Sequence, residues 1–125
     1  MTTTAPTTAR DVALAWLDAR VAHNLDAVVD HAADDIVYDA PGIRLTGKDA
    51  FREAEAVFLP MITGVTVISA FGDDTSALLM YSVDTAPVPA NTTGAHLTVT
   101  DGKISALRVV YDQTPFAALQ GGTGR

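Results

Sequence analysis

The apolar residues of this chain change their spacing once, and that change restricts the fold more than any other feature. Up to about residue 62 most of them recur three or four positions apart, the repeat of a helix with one buried face. Val12, Trp16 and Ala19, joined by Leu14, Leu17 and Val21, are the clearest set. From residue 65 onward they fall instead into strand-like runs at 65–71, 77–83, 95–100 and 104–111. These runs are cut by Gly72-Asp73-Asp74, by a Pro/Asn/Gly stretch and by Asp101-Gly102. The last dipeptide favours a type I′ hairpin turn, so the final two strands are expected to pair antiparallel. Helices first and a mixed or antiparallel sheet afterwards predict an α+β domain with its helices on one face of the sheet.

Local signals divide the first half. Thr8 with Asp11 reads as a capping pair for a helix running to about His23. Asn24 caps a second, shorter helix whose Leu25, Val28, Val29 and Ala32 share a stripe, closed by Asp34-Asp35. Ile36-Val37-Tyr38 is a short strand stopped by Pro41-Gly42, with 43–46 as its hairpin partner. Gly47-Lys48-Asp49 opens a third helix, in which Phe51, Ala54, Phe58, Leu59 and Ile62 share a face until Pro60 ends or kinks it. Residues 1–7 and 119–125 read as loose tails, which leaves a single domain over 8–118.

Composition removes several functions. At 125 residues and 48% hydrophobic content, one domain with a real core is expected. Fifteen acidic against eight basic residues give a net charge of -7. Such a surface repels phosphate backbones and anionic membranes, so neither nucleic acid nor a membrane is an expected partner. No apolar run approaches about eighteen residues, and MTTTAPTTAR lacks the regions of a secretory signal; a cytoplasmic location is expected. The absence of cysteine excludes disulfides, thiolate catalysis and cysteine-held metals. No Gly-x-Ser-x-Gly elbow, His-Glu-x-x-His pair or phosphate-binding glycine loop occurs. His23, Asp26, Asp30 and His31 cross a helix boundary without ligand spacing, so no metal is expected.

Five short stretches occur in an order and at spacings of their own: Asn24-Leu25-Asp26-Ala27-Val28, Ala33-Asp34-Asp35-Ile36-Val37, Pro41, Gly47-Lys48-Asp49-Ala50 and Asp101-Gly102-Lys103-Ile104. With the element order, they resemble the SnoaL-like and ketosteroid isomerase-like branch of the nuclear transport factor two superfamily. The resemblance implies a cone-shaped curved sheet packed on three N-terminal helices, with an apolar pocket on the concave face. It also implies a homodimer through the sheet, and Ile68, Ala70, Leu78, Met80 and Val110 make the outer face apolar enough for one. The superfamily hosts isomerases, cyclases, epoxide hydrolases and non-enzymes, so activity has to be argued from residues.

Two of the named chemistries fit this chain poorly. A ketosteroid isomerase-like site needs a carboxylate base and two oxyanion donors. The family positions for the tyrosine, the base and the second donor fall on Trp16, Ala40 and about Ala95, and only a one-residue slip makes Asp39 the base. A limonene epoxide hydrolase-like site needs two aspartates bridged by an arginine. Asp84 matches one, but Ser82 and Val109 stand at the other positions. Polyketide cyclase-like chemistry asks only for a base and an apolar cavity.

Strand alternation points Leu107, Val109 and Tyr111 inward and Arg108, Val110 and Asp112 outward, and in the preceding strand Leu97 and Val99 inward. Glu55 sits between Phe51 and Phe58 on a core-facing helix, where desolvation would raise its pKa toward acid or base duty. Glu55 or Asp39 is thus the candidate general base. Arg20, one turn after Trp16, and Tyr38 are candidate charge stabilisers; Arg20 would pair Glu55 or hold an anionic ligand group. Trp16, Phe51, Phe58, Tyr81, Leu97, Val109 and Tyr111 are candidate walls for an apolar small-molecule ligand. The expectation is a small SnoaL-like enzyme, free of metal and organic cofactor, acting by proton transfer on an apolar carbonyl-bearing metabolite as a cyclase or isomerase. The alternatives are a non-catalytic small-molecule-binding or dimerisation module and an epoxide hydrolase-like enzyme with a non-standard site.

Overall fold

Helix α1 (Ala9–Val21) starts where the Thr8 hydroxyl accepts a hydrogen bond from the Asp11 amide at 3.1 Å, satisfying one of the free donors of the first turn. The computed structural model describes residues 8–86, 88–112 and 114; the stretches 1–7 and 119–125 lie outside the described residues. After α1, His23 takes a left-handed φ of 56°. Its Nε2 lies 2.7 Å from the Ile62 carbonyl, and because a carbonyl only accepts, that nitrogen carries the proton. Asn24 then caps α2 (Leu25–Asp30) by accepting from the Ala27 amide.

Strand β1 (Ala32–Ala40) begins two residues after α2 ends, so Asp34-Asp35 lies inside a strand instead of closing a helix. Strand β1 is irregular over this stretch. Its register against the strand beside it shifts between Ala32 and Val37, and the two buried residues of that stretch, Ala32 and Ile36, stand four apart as they would on a helix. Pro41-Gly42 turns the chain into β2 (Ile43–Thr46), antiparallel to β1. Gly47 precedes α3 (Lys48–Phe58), and Pro60 follows in a 3-10 turn over Leu59–Met61.

Four long strands follow: β3 (Ile62–Gly72), β4 (Ser76–Thr85), β5 (Asn91–Thr100) and β6 (Lys103–Tyr111). The order across the sheet is β2-β1-β6-β5-β4-β3, antiparallel throughout except for the parallel pair β1 and β6. Between β5 and β6, Asp101 and Gly102 have φ of 52° and 79°, the two positive values that a type I′ turn needs.

Helix α1 packs on β3 and β4, and α3 packs on β1 and α2. The core between these layers is built from fully buried Trp16, Phe51, Ile36, Leu79, Leu97 and Leu107. Each such side chain contributes roughly 1.5–3 kcal/mol relative to exposure. Among the described residues no element covers the opposite face of the sheet, where Phe71, Leu78, Met80 and Val110 are exposed. Strand register sets one continuous row across this face, Arg44, Asp39, Arg108, His96, Leu78 and Phe71, charged or polar toward β2 and apolar toward β3.

Candidate functional site

Trp16 and Arg20 stand one turn apart on the inner side of α1, so both reach the same point of α3. That point is Glu55, 3% exposed. The Trp16 indole Nε1 donates to Glu55 Oε2 at 3.2 Å, and Arg20 Nε donates to Glu55 Oε1 at 3.2 Å. Both partners can only donate, so each carboxylate oxygen of Glu55 is committed to one of them. The Arg20 guanidinium carbon also lies 4.8 Å from the centroid of the Trp16 ring and 5.2 Å from that of Phe58, within cation–π range. Arg20 is itself only 5% exposed. Two charges out of water are costly unless paired, and here each is the other's partner.

Beside this pair opens a cavity of about 300 Å³. Arg20, Tyr38 and Tyr81 form its inner end; Ala54, Phe58, Val83 and Val109 form its walls. Ile43 and Val57, both largely exposed, lie at its mouth with Pro41. Thr85, Asn91, Thr93 and Tyr111 complete one side. The Tyr81 hydroxyl is buried and has no hydrogen-bond partner among the described residues; Arg20 lies near it without reaching ordinary hydrogen-bond geometry. Arg20 gives Nε to Glu55, which leaves its two terminal nitrogens for whatever enters the cavity.

The electrostatics keep these groups protonated. Burial alone would lower the Arg20 pKa, but the Glu55 carboxylate, followed by Tyr81 and Tyr38, outweighs it and the net change is upward. Burial pushes the Tyr38 phenol well above its usual value, and the Glu55 charge pushes the same way. Burial likewise raises Tyr81, against the opposing pull of Arg20. A phenol whose folded pKa exceeds its unfolded value contributes stability that is present below the unfolded pKa and is lost as pH climbs toward the folded one. Tyr38 and Tyr81 are therefore expected to stay protonated at pH 10.0, where a free tyrosine is half ionised. Absorbance at the phenolate band, with Tyr38→Phe and Tyr81→Phe as references, checks this; ionisation of either at its ordinary pH would contradict the burial.

Of the candidates from the sequence, Arg20, Tyr38, Phe58, Tyr81, Val109 and Tyr111 line the cavity. Glu55 lies behind Arg20 and does not line it, and Trp16, Phe51 and Leu97 belong to the packed core. Asp39 faces the other side of the sheet, where it accepts from Arg44 at 2.9 Å and from Arg108 at 3.4 Å. Its candidacy as the general base of the pocket is corrected: Tyr38 and Asp39 are neighbours in one strand, and with Tyr38 inward Asp39 must point out. Asp84 is occupied in accepting from the Ala90 amide. Thr85, Asn91 and Thr93 were not singled out from the sequence. Extending the inward alternation of Leu97 back to Thr93 and Asn91, and that of Tyr81 on to Thr85, finds all three.

Neither carboxylate nor imidazole lines the cavity among the described residues, and those outside the described set contain no Asp, Glu or His. Among the described residues no cluster of three His, Asp or Glu could hold a metal ion, and no helix is long and apolar enough to cross a membrane.

A family model for the SnoaL-like domain matches residues 13–107. No curated protein matches the sequence. Among solved structures, a protein from Kribbella flavida DSM 17836 is 43% identical with a TM-score of 0.89, over 95% of this chain and 98% of that one. An NTF2-like protein of unknown function from Cytophaga hutchinsonii ATCC 33406 is 19% identical with a TM-score of 0.78, over 94% and 99%. An LEH-like epoxide hydrolase from M. tuberculosis is 20% identical with a TM-score of 0.72, also over 94% and 99%. The last two likenesses are of fold alone.

Proposed function

The chain belongs to the SnoaL-like domain family, and from that membership we propose that it isomerises or cyclises an apolar carbonyl-bearing metabolite without a cofactor. The observation that carries this reading is the meeting of the Arg20 guanidinium with the unpartnered Tyr81 hydroxyl at the inner end of an otherwise apolar cavity. A substrate carbonyl seated there polarises toward these donors. As the adjacent C–H bond breaks, its electron pair moves to the carbonyl oxygen, and the enolate charge develops where donors already wait in a low-dielectric site. Where the enolate is conjugated with a double bond, it takes a proton back from water at a different carbon, giving an isomer; alternatively its carbon attacks a second carbonyl of the same molecule, whose oxygen takes that proton, giving a ring.

Glu55 has a different role here from the general base suggested by its position in the sequence. Both its oxygens are engaged, so it neutralises and aims Arg20. The proton leaves to water at the cavity mouth, which restricts the reaction to carbon acids that ionise readily, such as those flanked by two carbonyls. Removing one oxyanion donor typically slows catalysis about 10²–10³-fold. Assays on 1,3-dicarbonyl substrates, followed by mass spectrometry of the products, are therefore expected to show turnover that Tyr81→Phe reduces by about that factor. Full turnover by Tyr81→Phe, or none by the wild type across such a series, defeats the reading. The lining without carboxylate or imidazole favours one second reading, a binding module that holds an apolar ligand without transforming it.

The partner proposed with this function is a second copy of the chain. The exposed Phe71, Leu78, Met80 and Val110 form an apolar area on the outer sheet face that water would penalise in a monomer. Sedimentation at micromolar concentration is expected to give a dimer, and Leu78→Asp a monomer. A monomeric wild type removes the proposal.

A further inference from the structure

The unpartnered polar groups at the inner end of the cavity all offer protons, and this selects the occupant's chemistry whatever happens to it afterwards. Arg20 has no acceptor atom, and its two terminal nitrogens make no hydrogen bond among the described residues. The Tyr81 hydroxyl is without a hydrogen-bond partner among the described residues, and the Tyr38 side chain lines the same cavity. A group brought to this end must therefore supply acceptors. The two terminal N–H groups of a guanidinium point in parallel from one edge, the geometry that two oxygens of one planar group match. The walls beyond are apolar, and exposed Ile43 and Val57 continue them at the mouth.

We infer that this end of the cavity is an anion site for a planar head with two acceptor oxygens, carried head first on an apolar tail that leaves over Ile43 and Val57. Two heads share that chemistry, a carboxylate and the enolate of a 1,3-dicarbonyl. The inference rests on the site used for the proposed function and deepens it, by stating what the site binds. The surface charge of -7 gives an anion no long-range attraction, so its affinity has to arise inside the cavity.

The protein carries its own probe. Trp16 is the one tryptophan in the chain, and the Arg20 guanidinium lies over its ring, so a charge arriving on Arg20 alters the field at the indole. Octanoate, octan-1-ol, octylamine and nonane-2,4-dione are titrated into the full chain while Trp16 emission is followed. Octanoate is expected to bind about tenfold or more tighter than the alcohol, the difference that a hydrogen bond to a charged group makes. Octylamine is expected to give no saturable change. Tyr81→Phe should weaken octanoate binding severalfold, and Arg20→Met with Glu55→Met, which removes both buried charges together, should abolish the preference for the acid over the alcohol.

Equal binding of alcohol and acid overturns the inference, as does a preference that survives in the folded double variant or an unchanged affinity in Tyr81→Phe. The dione separates the two heads. Its binding with an enolate absorbance band supports the site and the enolate chemistry together. Octanoate binding with a silent dione supports the anion site as a carboxylate site, and the proposed reaction then falls alone.

Discussion

Arg20→Leu is expected to lower the unfolding free energy by about 3–5 kcal/mol, the cost of leaving a buried charge without its partner. Glu55 would keep only the Trp16 indole on one oxygen, while the other faced apolar side chains and an empty volume. Arg20→Leu combined with Glu55→Leu is expected to regain most of that loss, since replacing both members of a buried pair by apolar groups is often close to neutral. Urea unfolding of the four proteins in this cycle measures the coupling. If the double variant is no more stable than Arg20→Leu, the two charges do not depend on one another and the arrangement described for them is wrong.

Trp16→Ala is expected to cost about 3–5 kcal/mol, the range for truncating a fully buried large aromatic side chain. Trp16 is 0% exposed and is the largest side chain of the core. Part of the loss is volume and part is the hydrogen bond to Glu55, and Trp16→Phe separates the two. Phenylalanine fills most of the space but has no donor, so Glu55 Oε2 is left unsatisfied at a cost of about 1–3 kcal/mol. Thermal unfolding should therefore place Trp16→Phe between Trp16→Ala and the wild type. A Phe variant as stable as wild type would mean that the indole hydrogen bond contributes nothing.

The fold was legible where side-chain spacing and turn chemistry agree. Thr8, Asn24, Pro41-Gly42 and Asp101-Gly102 each mark a boundary that the backbone adopts. The end of the second helix was misread because Ala32 falls three and four positions after Val29 and Val28, a helical interval, although it is the first residue of β1. For the site, the apolar face of α3 singled out Glu55 as a desolvated carboxylate, and Arg20 one turn beyond Trp16 supplied its partner. Which oxygen meets which donor depends on how α1 and α3 approach, and spacing within one helix carries no such information. The Tyr81 hydroxyl is a similar case, since alternation turns the ring inward but only the surrounding packing leaves its oxygen without a partner. Asp39 could have been placed correctly from the chain alone, because adjacent strand residues cannot both face one cavity.

Among the described residues, β6 is the last strand of the chain yet lies third in the sheet, between β1 and β5, where it joins the first hairpin to the later meander. Its pairs with β1, such as Tyr38 with Leu107 and Asp39 with Arg108, link residues about seventy positions apart. Closing so long a loop precedes the gain from the contacts it brings together. During synthesis, then, β1 and β2 emerge with one edge unpaired and stay so until about seventy further residues, β6 among them, have left the ribosome. Completion of the sheet, and with it the wall that Val109 gives the cavity, waits for that strand.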